Sequence, residues 1–259
     1  MPFTLAHPAA VLPLRHVRWL YTAPLVIGAL TPDAPLYFPE IIREHLRRVD
    51  THSLVGSYSY DLPLGVALLL CAVLLREPLT VLLPARARAL LLNALEPLRR
   101  SALAWLLAPP SILLGVWTHL LWDSFTHGNG WAARHIPFLT ASVTIGDYTG
   151  QVSHILQYLS SAVGLAIVAL WYARLPTPAA AHAGQAARRA HAGPALLLII
   201  GASLLIGGVE AERYYARSQG AIYRTTDEFL TRALAWFVLL DLCAGTIVTL
   251  EHRAARHPP

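Results

Sequence analysis

Side chains that bind metals and transfer protons recur at four-residue spacing within residues 118–128. They are His119, Asp123 and His127. On an α-helix the positions i, i+4 and i+8 form one stripe, because four residues are slightly more than one turn. Imidazole and carboxylate groups at i and i+4 can share one metal ion. The spacing therefore predicts a metal or catalytic site, and the alternative is a hydrogen-bonded His–Asp pair that only locks helix packing.

Other polar residues stand next to apolar runs. One such run stops at Asp33, in the sequence Gly-Ala-Leu-Thr-Pro-Asp, which by itself is typical of a helix end followed by a turn. His52 lies in a Thr-His-Ser sequence, and His7 lies near the N-terminus. Alone, each of these two histidines is typical of a surface residue. Asp61 precedes Leu-Pro and is predicted to be the N-cap of the next helix.

The composition of the chain that carries these residues indicates an integral membrane protein. The chain has 259 residues, of which 55% are hydrophobic and 14% charged, with a mean hydropathy of +0.48. Soluble domains contain about 25% charged residues. The 20 cationic residues are all Arg and lie between apolar runs rather than in one patch, which favours a lipid bilayer as partner over nucleic acid. The oligomeric state is left open.

The apolar runs predict an all-α, polytopic transmembrane bundle of about six spans, in a single domain over residues 1–259. A spanning helix needs about 20 residues. The six runs are residues 17–30, 62–75, 111–125, 154–174, 195–209 and 231–250. Residues 84–100 combine Arg with Leu, which is typical of an amphipathic helix at the membrane interface. A flexible loop is predicted near residues 176–194, which have Pro at both ends.

Arginines between the runs predict the orientation. They cluster after the second, fourth and sixth runs, and the positive-inside rule places such loops in the cytoplasm. Both termini are then predicted to be cytoplasmic, in a bacterial inner membrane. Asp33, His52 and residues 119–127 are all expected at the outer face, so they can belong to one site.

Several of these blocks together resemble a known family. They are the N-terminal sequence Met-Pro-Phe-Thr-Leu-Ala-His-Pro-Ala, residues 28–33, residues 51–53, residues 119–127 and the sequence Gln-Tyr-Leu-Ser-Ser-Ala-Val-Gly at 157–164. This set is similar to the bacterial membrane family catalogued as domain of unknown function 4184, over most of the chain. The resemblance implies a family but no activity.

A more distant resemblance implies a chemistry. The order His, Pro-Asp, Thr-His-Ser, His-x3-Asp resembles membrane-bound metal-dependent hydrolases and the soluble helical zinc-dependent phospholipase C and nuclease group. This resemblance implies that zinc or another divalent metal is bound by His7, Asp33, His52, His119, Asp123 and His127. The last spacing is x3 rather than x5, and the N-terminal Trp ligand and a later His-x3-Glu are absent. One or two metal ions, rather than three, are therefore expected.

The expected function is a membrane-embedded metal-dependent hydrolase acting on a phosphoester or lipid-linked substrate. Asp33 and Asp123 are the candidate catalytic carboxylates, as ligands or as the general base. His7 is expected to join only if the N-terminal segment folds back, because a straight helix from His7 to Leu30 would span about 36 Å. The alternative is a non-enzymatic membrane protein, such as a metal or small-solute permease or an assembly factor, since polar residues on several membrane helices also suit a pathway.

Overall fold

A computed structural model describes residues 3–46, 50–146, 148–176, 186–217 and 222–256, and it is all-α, as predicted, apart from one hairpin. The α-helices are α1 (Pro8–Val11), α2 (Thr22–Leu30), α3 (Glu40–Leu46), α4 (Leu54–Gly56), α5 (Leu62–Leu74), α6 (Pro78–Val81), α7 (Ala85–Arg100), α8 (Ala102–Thr126), α9 (Trp131–His135), α10 (Pro137–Thr140), α11 (Val152–Arg174), α12 (Ala186–Arg217) and α13 (Ile222–Arg256). Turns of 3-10 helix cover Thr4–Ala6, Leu12–His16 and Thr31–Tyr37, and a π turn covers Ser57–Asp61. The antiparallel strands β1 (Ser142–Ile145) and β2 (Tyr148–Gln151) pair Ser142 with Gln151.

Among the described residues, five helical segments are long and apolar enough to cross a membrane, where the sequence predicted about six. They are Leu54–Leu74, Ala102–Thr126, Val152–Arg174, Gly193–Arg217 and Thr225–His252. The first predicted span is missing because α2 has only nine residues. Nine residues rise about 13.5 Å, less than half of a hydrocarbon core of about 30 Å. Upstream of α2 the chain is broken into short turns by Pro8 and Pro13.

Two predicted boundaries also differ. The third span begins at Ala102, so Pro109 and Pro110 lie inside α8 rather than at its start. The predicted loop near 176–194 is shorter, because α12 already begins at Ala186. Ala has the highest helix propensity, and residues 186–192 are rich in it. Residues 177–185 of that prediction lie outside the described residues.

Internal contacts divide the chain into two compact units, and the prediction of a single domain stays a prediction. The first unit comprises Met1–Pro35, Glu44–Leu69 and Arg100–Leu175, and the second comprises Leu36–Arg43, Leu70–Arg99 and Pro176–Pro259. All six histidines and aspartates predicted to bind metal belong to the first unit.

Small residues bring α2 directly against α8 in the first unit. A Cβ atom on Gly28 would overlap the carbonyl oxygen of Ile112, and one on Gly115 would overlap that of Leu25. Such backbone-to-backbone contacts are typical of membrane helices that pack through small residues. They place the end of α2, and the 3-10 turn that follows it, beside the middle and C-terminal part of α8.

The second unit is built on the pair α12 and α13. Gly207 of α12 lies against the backbone of Ala233, and Gly245 of α13 lies against the carbonyl group of Pro78 in α6. Arg232 is 7% exposed. Its Nε donates to Glu228 at 2.8 Å, so the buried guanidinium has a carboxylate partner within the same helix.

Candidate metal centre

Helix α8 presents His119 and Asp123 to the interior of the first unit, where they are 0% and 5% exposed. The Nδ1 atom of His119 is 2.8 Å from the carbonyl oxygen of Ala29, near the end of α2. A carbonyl oxygen only accepts hydrogen bonds, so Nδ1 carries the proton and Nε2 of the neutral ring has a free lone pair. Metal-binding histidines are held in this way by their second nitrogen.

His52 reaches the same position from the segment that precedes α4. Its Nε2 lies 3.5 Å from Asp33 Oδ1 and 3.5 Å from Asp123 Oδ2. Thr51 Oγ1 donates to the carbonyl oxygen of Pro32 and therefore accepts from His52 Nδ1, both at 2.9 Å. Burial by itself lowers the pKa of His52, but the carboxylates of Asp123 and Asp33 outweigh it and raise the pKa to about 10. This position therefore favours positive charge: a proton on Nε2 without metal, which a bound divalent ion would replace.

His7 joins the group because the N-terminal segment folds back onto α11. The backbone N–H of Phe3 donates to Ser161 Oγ at 2.9 Å, which ties this segment to the helix. The His7 ring is 0% exposed and stacks on His119 with a centroid distance of 3.7 Å. Its Nε2 lies 3.6 Å from Asp123 Oδ1. Burial and the neighbouring imidazole of His119 lower the pKa of His7 to about 3, so the ring is neutral and can donate a lone pair.

Asp33 lies in the 3-10 turn after α2 and is completely buried. Its Oδ2 accepts a hydrogen bond from Thr4 Oγ1 at 2.7 Å, whereas Oδ1 has no hydrogen-bond partner and lies 3.7 Å from His119 Nε2. Burial by itself raises the pKa of Asp33, but the imidazoles of His119 and His52 outweigh it and hold the pKa below its ordinary value. Thr4 therefore orients a carboxylate whose second oxygen faces the imidazoles.

The distances between these donor atoms fit a shared cation better than direct hydrogen bonds. They range from 3.4 to 3.7 Å, whereas N–H···O hydrogen bonds are about 2.7–3.2 Å long. Two ligands about 2.0–2.1 Å from one ion at the tetrahedral angle are about 3.3–3.4 Å apart. His119 Nε2 and both oxygens of Asp123 are buried without a hydrogen-bond partner. The residues present therefore fit a bound divalent metal.

Two overlapping sets of donors could each hold an ion. The first contains His7, His119 and Asp123, and the second contains Asp33, His52 and His119; within each set the ligand atoms lie within 4.8 Å of one another. Because His119 belongs to both, the arrangement fits one ion or two neighbouring ions. Imidazole and carboxylate ligands together suit zinc and similar transition metals more than magnesium or calcium.

His127 lies at the edge of this cluster and belongs to neither set. Its Nδ1 is 3.1 Å from the backbone carbonyl oxygen of Asp123 and 3.7 Å from Oδ2 of the same residue. The i+8 prediction assumed a helix that continues through this residue. α8 ends at Thr126, and His127 has an extended backbone with φ −113° and ψ 131°, so its side chain leaves the helical stripe.

A cavity of about 780 Å³ opens beside the cluster. Its lining includes His52, Asp123 and His127, the apolar side chains of Trp117 and Leu121, and Arg134 of α9. His7, Asp33 and His119 are not part of the lining. The donor cluster therefore has one side buried in protein and one side that faces the cavity.

Sequence reasoning missed two threonines that support the cluster, and it misassigned the N-cap of the first membrane-type segment. The supporting threonines, Thr4 and Thr51, carry no metal-ligand signal, although Thr51 immediately precedes His52. Asp61 is not an N-cap. Ser53 has that role, since its Oγ accepts from the N–H of Gly56 at 3.0 Å, and the helical segment continues unbroken through Asp61.

Fold and site together define an all-α protein of the membrane type with a buried His–Asp cluster suited to a divalent metal. The chain belongs to the family described as domain of unknown function DUF4184, whose model matches residues 1–250. No curated protein and no solved structure gives a significant match. The family resemblance is thus confirmed, while the more distant resemblance to hydrolases stays a prediction.

Proposed function

We propose that this protein is a membrane-embedded, metal-dependent hydrolase of phosphoesters. The observation that carries this proposal is the set of donors on four buried residues, His7, Asp33, His119 and Asp123, and on the partly exposed His52. Five nitrogen–oxygen pairs among them are 3.4–3.7 Å apart, beside an open cavity. A purely structural His–Asp pair would be expected to close its own hydrogen bonds, because unpaired buried polar atoms are unfavourable. Here those atoms are left for a cation.

The residues of the cluster would have different roles in this reaction. A divalent metal supplies Lewis acidity, which polarises a phosphoryl oxygen and acidifies water. His52 and His119 keep their Nδ1 protons in hydrogen bonds and present Nε2 as ligands. Asp123 lines the cavity and Asp33 does not, so we assign the role of general base to Asp123 and that of an oriented ligand to Asp33.

The cavity favours an amphiphilic, lipid-linked substrate. Arg134 is exposed at the cavity and offers a guanidinium to an anionic phosphate. Trp117 and Leu121 of α8 line the same cavity and are 37% and 63% exposed. A phosphate near Arg134 would leave a hydrocarbon chain to lie along this apolar wall, within a segment that is able to span a membrane.

The proposal includes a bacterial inner membrane with the site at its outer face. Helix α7 carries Arg86, Arg88, Arg99 and Arg100 and connects the segments Leu54–Leu74 and Ala102–Thr126. If α7 is cytoplasmic under the positive-inside rule, the opposite ends of both segments are external. Those ends carry the His52 and Asp123 side chains.

The test is phosphoester hydrolysis by purified, zinc-loaded protein in detergent. The substrates are p-nitrophenyl phosphate, bis(p-nitrophenyl) phosphate and phosphatidic acid in mixed micelles, the last probing the lipid-linked class. We expect Asp123→Asn to lower kcat at least about 10²–10⁴-fold, because the change removes the proposed general base together with a metal ligand. His154→Gln is the matched control, since His154 lies outside both donor sets and is expected to leave kcat unchanged. Bound zinc without hydrolysis of any of these substrates would favour the metal-binding permease or assembly factor instead.

A further inference from the structure

Asp61 is a buried carboxylate that neither the donor sets nor the cavity lining includes. It is 0% exposed, and neither of its oxygens has a hydrogen-bond partner in the described part of the chain. It lies within the segment Leu54–Leu74, which is able to span a membrane. Ionisable groups at such positions are unfavourable and usually functional.

The backbone around Asp61 is widened into a π turn. The N–H of Leu62 donates to the carbonyl oxygen of Ser57, five residues back. Pro63 lacks an N–H, and its ring crowds the carbonyl group four residues earlier, which explains why the α-helix is interrupted here. Single π turns within α-helices are frequent at functional sites. Asp61 and Gly65, at i and i+4, share one face of the helix.

Two contacts give the depth of Asp61 relative to α8. The rings of Tyr58 and Trp117 have a centroid distance of 6.1 Å. Further along, a Cβ atom on Gly65 would lie 2.8 Å from Cγ2 of Ile112. The numbering rises along one helix while it falls along the other, so the helices are antiparallel and Asp61 lies between these two levels.

This depth places Asp61 close to the His–Asp cluster, about one helical turn away from it along α8. Its level on α8 is about four residues before His119, which is a rise of about 6 Å. On the same face, Gly65 would bring a Cβ atom within 3.5 Å of Cγ2 of Thr31, in the 3-10 turn that carries Asp33. Asp61 is therefore close enough to act on the cluster electrostatically, without being one of its ligands.

The charges of the site indicate what Asp61 contributes. Asp33 and Asp123 together carry two negative charges, which one divalent ion balances. Asp61 adds a third carboxylate at a place where the low dielectric constant strengthens its attraction for a cation. A buried carboxylate with no partner is strongly unfavourable unless positive charge is nearby.

We propose that Asp61 is the counter-charge of the metal centre: its carboxylate strengthens divalent-cation binding by the His–Asp cluster without ligating the ion. This inference rests on the metal centre of the proposed function. It makes Asp61 a residue that acts on the bound cation through its charge and not by contact, and it explains why a carboxylate lies about one helical turn from the ligands.

Zinc affinity tests this role, measured by competition with a chromogenic chelator on purified full-length protein in detergent. Asp61→Asn should weaken zinc binding about 10–100-fold, the usual effect of outer-shell partners of metal ligands, and Asp61→Glu should restore most of it. Asp241→Asn is the matched control. Asp241 is also a buried membrane-segment carboxylate, 4% exposed with Oδ1 unpartnered, but it belongs to the second unit, and its loss should leave zinc affinity unchanged.

The outcomes separate this inference from the proposed function. Zinc affinity of Asp61→Asn equal to that of the unaltered protein would overturn the role of Asp61 and leave the metal centre standing. Failure of the unaltered protein to bind zinc would remove the metal centre itself. If Asp61→Asn loses its helical circular dichroism, Asp61→Ser is measured against the same criterion.

Discussion

The two units bury charged side chains in membrane-type helices in different ways. In the second unit, Arg232 Nε donates to Glu228 at 2.8 Å, and its Nη1 donates to the carbonyl oxygen of Phe38 at 3.2 Å. In the first unit the closest cluster contact, between His119 Nε2 and Asp123 Oδ2, is 3.4 Å. The Arg232 contact of the second unit therefore closes its hydrogen bonds, and the His–Asp cluster of the first leaves them open.

This difference separates a structural contact from a candidate site. A guanidinium has five N–H donors and no acceptor, so carboxylates and carbonyl groups can satisfy it completely. A neutral imidazole such as His7, which faces a carboxylate with an unprotonated nitrogen, has no proton to share, so a cation is the partner that both accept. The Arg232 contact and the His–Asp cluster are both largely buried and charged, but they differ in the balance of hydrogen-bond donors and acceptors. This difference is what makes the cluster of the first unit a candidate metal site.

Breaking the Arg232 contact should give the largest change in stability. Arg232→Met removes the close cation from the half-buried carboxylate of Glu228, which keeps only Arg43 at 3.8 Å. Losing a hydrogen bond to a charged group typically lowers the free energy of unfolding by about 1.5–3 kcal/mol. The loss should be the same with zinc and with a chelator, because the second unit contains no donor set among its described residues. Thermal unfolding in detergent, followed by circular dichroism, measures it.

The matched control is Arg99→Met, also in the second unit. Arg99 pairs with Glu96 at 2.8 Å, but both side chains are more than a third exposed, so the expected loss is about 0–1 kcal/mol. Equal unfolding temperatures for Arg232→Met and Arg99→Met would show that the buried contact does not hold the second unit together. A zinc-dependent effect of Arg232→Met would remove the contrast between the units.

A smaller effect, on zinc affinity, is expected for Thr4, which orients the carboxylate of Asp33 in the first unit. Thr4→Val keeps the shape of the side chain but removes the hydrogen bond to Asp33 Oδ2. Zinc affinity should fall about 10-fold, the lower end of the range for such supporting contacts. Thr246→Val is the control, because Thr246 donates only to the carbonyl group of Leu242 in its own helix. Chelator competition that gives equal affinities for the two variants would contradict an orienting role for Thr4.

The helical period explains which part of the centre could be predicted. His119 and Asp123 were found because both lie within one uninterrupted helix, where a spacing of four residues fixes a common face. The helical period does not extend to His127, one residue past the helix end, and its part in the site stays a prediction. The position of His7 depends on the fold-back of the N-terminal turns onto α11, a tertiary contact that local sequence leaves open.

Outside the His–Asp cluster, helix lengths and turn types limited what could be predicted from the sequence. Apolar runs identified five segments able to span a membrane, but the run that contains α2 did not reveal that its helix has nine residues. Asp61 before Leu-Pro has the pattern of an N-cap, yet the chain accommodates Pro63 by a π turn within a continuous helical segment. Propensity alone does not distinguish these two solutions, because both accommodate a residue that lacks a backbone N–H.

Zinc content is the most direct test of the central claim that the His–Asp cluster is a metal centre. Protein purified in detergent, equilibrated with zinc and dialysed, is analysed by inductively coupled plasma mass spectrometry beside Asp123→Asn and Glu228→Gln. We expect about one or two zinc ions per chain, lost in Asp123→Asn, because Asp123 contacts His7, His52 and His119, and kept in Glu228→Gln of the second unit. Unaltered protein without zinc, or Asp123→Asn with the full content, would contradict the claim.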